Sequence, residues 1–107
     1  MSFNEQQAKE VEKAVMQVFI CPFSKIVGCI DTTEKKVVVF VLNKLLDFDK
    51  RSIAQAYSMT YLFVPTVVDE IMDQYILNTE LRNKIVEGTK IIGYAFKEMD
   101  QGRRAIA

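Results

Sequence analysis

Several stretches of this chain keep a helical rhythm of apolar positions, and others are apolar at every position. Ala8, Val11, Val15, Val18 and Phe19 recur at helical spacing, while Glu10, Glu12, Lys13 and Gln17 take the opposite side. This spacing predicts a first helix from about residue 4 to 17. Ser2-Phe3-Asn4-Glu5 ahead of it fits a capping box, a hydroxyl followed three residues later by Glu. Val18-Phe19-Ile20-Cys21 is apolar and β-prone as far as Pro22, and reads either as the end of the helix or as a short strand.

Lys25 to Ile30 is apolar again around Gly28, and the polar run Asp31 to Lys36 reads as a turn. Val37-Val38-Val39-Phe40-Val41-Leu42 then lacks any polar position, the pattern of a central strand covered on both faces. Asp49 can cap a short helix from about Lys50 to Ser58 with Ile53, Ala54 and Tyr57 inward. Thr60 to Val64 reads as a second buried strand stopped by Pro65. Thr66 can cap a helix from Val67 whose apolar face is Val67, Val68, Ile71, Met72, Tyr75 and Ile76. Asn78-Thr79 breaks it, and Leu81, Ile85 and Val86 lead to Gly88 as a C-cap. Lys90 to Phe96 is a last strand with Gly93 as a bulge or close-packing site, and residues 99–107 form a polar, flexible tail. The expectation is a single α+β (or α/β) domain over residues 1–98, one small mixed β-sheet packed against helices.

Composition narrows the chemistry. The chain has 107 residues, half of them hydrophobic, enough for one core. Fourteen basic and fourteen acidic residues cancel, which argues against a strong electrostatic hold on nucleic acid or an anionic membrane. Histidine is absent, so Ser-His-Asp and Cys-His catalysis, His-ligated metal and imidazole pH switching are excluded. Cys21 and Cys29 sit in apolar runs and read as buried, reduced thiols. The N-terminus lacks the regions of a signal peptide, and the longest apolar run is far short of a membrane span. A cytoplasmic, non-membrane protein is expected.

Candidate motifs are few. Asp47-Phe48-Asp49 is the chain's D-x-D, and two such carboxylates can converge on Mg²⁺ for phosphoryl or nucleotidyl transfer. Its position ahead of a helix favours Asp49 as a cap. No Walker or dinucleotide glycine motif occurs, and Ser24 and Ser58 lack a histidine base. Arg82, Lys84, Lys90 and Lys97 stand near Tyr94 and Phe96 and, with Arg103 and Arg104 of the tail, offer a nucleic-acid surface. Glu80, Glu87 and Glu98 are interspersed, the pattern of an ordinary solvated surface. Five Met and eleven Phe plus Tyr are more than one core of this size needs, and an apolar face left over would favour self-association.

The run Phe19-Ile20-Cys21-Pro22-Phe23-Ser24-Lys25-Ile26-Val27-Gly28, followed by the apolar strand Val38 to Leu42, resembles the opening of the minimal nucleotidyltransferase (DNA polymerase β-like) fold. Ser24 and Gly28 keep the spacing of that family's G-S-x-x-x-G motif. Asn78 to Gly88 before Ile91-Ile92-Gly93-Tyr94 is similar to its closing helix and strand. Phe23 replaces the motif's first Gly, Lys35 and Val37 stand where its two metal-binding Asp residues belong, and Tyr61 to Val64 holds no acid. The resemblance therefore implies the fold without the chemistry. Ser24, Gly28 and Lys35 would be former-site residues, Lys35 still able to meet an anion, and no cofactor is implied. The expected function is a non-catalytic module acting through protein contacts or self-association, as a homo-oligomer. The alternatives are a small nucleic-acid-binding domain using Arg82, Lys84, Lys90, Arg103 and Arg104, and a Mg-dependent transferase using Asp47 and Asp49.

Overall fold

In the computed structural model, which describes residues 4–27 and 32–93, the chain is helical. The described residues form five α-helices: α1 (Glu5–Phe19), α2 (Thr33–Phe40), α3 (Lys50–Ala56), α4 (Phe63–Leu77) and α5 (Thr79–Ile91). A single 3-10 turn, Phe23–Lys25, follows α1, and the π-helical stretch Val41–Leu45 prolongs α2. No strand occurs among the described residues. Helix α1 packs on α5 and α2, α2 on α4, α4 on α5, and α3 on α4. One apolar core joins them all.

The mixed sheet, and with it the nucleotidyltransferase resemblance, is overturned. Among the described residues, none of the positions expected in a strand of that fold is in one. The decisive segment is Val37 to Leu42, each residue of which is buried. An apolar run with no polar position fits a helix enclosed on all sides as well as a central strand, because neither leaves a periodic trace. Helix α2 is that enclosed helix. Thr32 starts it, its hydroxyl accepting the Lys35 amide at 3.2 Å while donating to the Lys25 carbonyl. The chain leaves the π-helical stretch through Asp47, which is left-handed at φ 58°. The Asn43 side chain closes this corner by donating to the Phe48 carbonyl at 3.0 Å.

The other expected strands fail for local reasons. Pro65 does not stop a strand; it is the third residue of α4, where a missing amide proton costs little. The helix therefore begins at Phe63 instead of Val67, and Thr66 lies inside it. Gly88 is no C-cap. It lies within α5, which runs on to Ile91 and turns at Gly93, whose φ of 76° suits glycine. The expected strand Lys90 to Phe96 is thus helix and turn as far as Gly93, and residues 94–107, including the tail, lie outside the described residues. Helix α1 is capped by Asn4, whose side chain accepts the Gln7 amide at 3.1 Å, and Ser2 lies outside the described residues.

Gly88 is buried against α1, and a β-carbon there would meet Val18 Cγ2 at 3.9 Å, an ordinary contact. It also borders a shallow apolar recess between α1 and α5, about 260 Å³ including its open mouth. Alanine relieves the backbone-entropy cost of a mid-helix glycine. Gly88→Ala is therefore expected to stabilise the protein by about 0.5–1 kcal/mol, read as a rise in the urea midpoint. A fall would show that Val18 cannot accommodate the methyl group.

Candidate functional site

The described residues do not gather the expected site residues into one place. Ser24 lies exposed in the 3-10 turn, and Gly28 lies outside the described residues. Lys35 is buried in the first turn of α2, 5 % exposed. Asp47 and Asp49 are both exposed. Asp47 sits exposed on the left-handed corner, and Asp49 is the N-cap of α3, accepting the Ser52 amide at 3.1 Å and the Ser52 hydroxyl at 3.2 Å. Among the described residues no three His, Cys, Asp or Glu side chains are grouped so as to hold a metal ion.

The cations of α5 do not form a stripe. Arg82 and Lys84 lie about 200° apart around the helix at 3.6 residues per turn. Arg82 extends over the Tyr75 ring at 6.0 Å and donates to the Thr79 hydroxyl at 3.3 Å. Lys84 lies 5.1 Å over the Phe19 ring and 3.7 Å from Glu80. Lys90 is exposed further along α5, and Arg103 and Arg104 lie outside the described residues. Cys21 is half-buried, and Cys29 lies outside the described residues. Burial, and then the Glu34 carboxylate, push the Cys21 thiol up, with Lys25 partly opposing them. A thiol held protonated in this way is a poor nucleophile.

What the fold does assemble is exposed apolar surface at the two ends of α4. At its start stand Tyr61, Leu62 and Phe63, with Leu62 68 % exposed and the Arg51 guanidinium 4.4 Å over the Tyr61 ring. At its end stand Ile76 and Leu77, the latter 84 % exposed. The two groups are about 20 Å apart along the helix.

A further exposed aliphatic residue, Ile20, directly follows the end of α1. Ile20 is 90 % exposed and left-handed at φ 53°. For a β-branched residue that conformation is strained. That conformation ends α1: the Ile20 and Cys21 amides both donate to the Met16 carbonyl, so Ile20 is the left-handed cap of the helix.

Sequence reading missed this surface. Tyr61 to Val64 was expected inside a sheet and Ile76 on the inner face of a helix, yet only Val64 of these five is buried. The available signal was the join Ile76-Leu77-Asn78-Thr79. Asn78 both ends α4 and caps α5, accepting the Leu81 amide at 3.1 Å, and apolar residues at such a corner have little to pack against. No protein-family model, curated protein or solved structure matches the chain. Among the described residues no helix is long and apolar enough to cross a membrane.

Proposed function

We propose that this chain is a helical module that acts through contacts with other protein chains, self-association included, in the reducing setting of the cytoplasm. The observation that carries this reading is the exposure of Leu62 and Leu77, large aliphatic side chains left in water at the two ends of α4 while 23 hydrophobic residues among those described are buried. Isolated apolar residues on a surface are ordinary, but those grouped at both ends of one helix mark contact surface. The surroundings favour protein over nucleic acid. Helix α4, which presents both groups, carries Asp69, Glu70 and Asp73 and no Lys or Arg. A phosphate backbone would be repelled along its length.

The test is photocrosslinking from single positions in cells that make the protein. A photoreactive residue at Leu62 or Leu77 is expected to join a protein chain, this one or another, at a yield well above that from Gln6 on the exposed side of α1. Yields from both positions no higher than that of the control would overturn the proposal.

A further inference from the structure

We infer that a second copy of this chain meets the start of α4, with α3 of each copy set against α4 of the other. This rests on the reading that the module works through protein contacts, and it names the partner. Charge is divided cleanly between the two helices. Helix α3 carries Lys50 and Arg51 and no acid, whereas α4 carries Asp69, Glu70 and Asp73 and no base. Asp49, beside Lys50, is turned to the Ser52 amide as the cap. Glu70 is held by Lys36 of α2 at 2.8 Å. Lys50, Arg51, Asp69 and Asp73 are exposed, and the bases Lys50 and Arg51 outnumber the one exposed acid beside α3, the cap Asp49.

Along the chain the apolar group Tyr61, Leu62 and Phe63 falls between these two sets. Arg51 stacks on Tyr61, which sets its charge at the edge of the apolar group. Leu62, Thr66, Asp69 and Asp73 follow one another at steps of four, three and four residues, so they share one stripe of α4. A two-fold contact is self-complementary by construction: what one copy offers, the other receives. With Leu62 and Phe63 of both copies at the centre, Lys50 and Arg51 of each face Asp69 and Asp73 of the other, and the same pairing occurs twice.

A competing arrangement lays α4 antiparallel on α4, so that Leu62 and Phe63 meet Ile76 and Leu77. It places Asp69 of each copy opposite Glu70 of the other, and such like-charge opposition costs several kcal/mol. The formal net charge is zero, so two copies have no overall repulsion to overcome.

The experiment is sedimentation velocity on the full chain and two charge-reversed variants, Lys50→Glu with Arg51→Glu and Asp69→Lys with Asp73→Lys. All four positions are exposed, and circular dichroism confirms that each variant is folded. The wild type is expected to dimerise, more weakly as salt is raised. Each variant alone is expected to lose about tenfold or more in affinity, because its like charges then face one another. An equal mixture of the two is expected to recover wild-type association. In the mixed pair, the glutamates of one face the new lysines of the other, while the retained Lys50 and Arg51 face the retained Asp69 and Asp73. A wild-type dimer that the reversals leave intact, or a mixture no tighter than either variant alone, overturns the inference. A wild type that stays monomeric also overturns it. If crosslinks from Leu62 or Leu77 then reach a different protein, the broader proposal stands; if they reach none, both fall.

Discussion

Phe40→Ala is expected to remove about 3–5 kcal/mol of stability, the usual cost of deleting a fully buried aromatic ring and leaving its cavity. Phe40 is the last residue of α2, it has no solvent exposure, and its neighbours Val37, Val38, Val39, Val41 and Leu42 are buried as well. Four of those five are valines, stiff at the first side-chain torsion, so they can do little to close over the void. A domain of this length is worth about 5–15 kcal/mol in all. The variant should therefore melt roughly 15 °C lower or be unfolded at room temperature. Thermal unfolding followed by far-UV circular dichroism checks this, and the same spectrum must be strongly helical. A shift of only a few degrees would mean that Phe40 is not at the centre of the core.

The same segment shows what could be read from the residues and what could not. Helix α1 was legible because one of its sides meets water, so its polar and apolar positions alternate at helical spacing. The inward set of α4, Val67, Val68, Ile71 and Tyr75, was legible for the same reason, and all four are buried. Asp49 announces α3 through its own chemistry, since a carboxylate ahead of Lys50-Arg51-Ser52 has an amide to accept. Helix α2 gives no such trace. When every side is covered, polar residues have nowhere to recur, and the β-propensity of four valines then tips the reading toward a strand. Tertiary enclosure decided the issue, and enclosure belongs to the assembled core.

The candidate surface was hidden by a related ambiguity. Leu62 and Leu77 look like core residues by type, and only the positions of the helix ends put them in water. Pro65 concealed the start of α4 because proline ends strands and also opens helices. The spacing of Ser24 and Gly28 matched a motif whose meaning depends on a strand that is absent, since α1 runs through to Phe19 and a turn follows.

Tyr57 offers the second large effect, and one that separates packing from hydrogen bonding. It follows α3 directly, its ring is 1 % exposed, and its hydroxyl donates to the Glu12 carboxylate of α1, tying together elements 45 residues apart. Tyr57→Ala loses both the ring and the bond, and is expected to cost about 3–5 kcal/mol. Tyr57→Phe keeps the ring. Its expected cost is about 1–2 kcal/mol, because the half-buried Glu12 recovers water in place of the hydroxyl.

The pH dependence reports the burial of the hydroxyl together with its bond. Burial is the main cause raising the Tyr57 pKa, followed by the hydrogen bond to Glu12 and by its charge. In the unfolded chain the phenol ionises near its ordinary value of about 10. Above that pH the unfolded state releases a proton that the folded state keeps. The stabilisation is therefore complete below about pH 10 and declines as the pH rises beyond it. Urea unfolding of wild type and Tyr57→Phe from about pH 8 to pH 11 is expected to show the advantage of the wild type constant at first and then shrinking. The difference between the two proteins cancels the lysines, which titrate in both. An advantage that stays constant across the range would mean that the hydroxyl meets water in the folded protein and is neither buried nor held by Glu12.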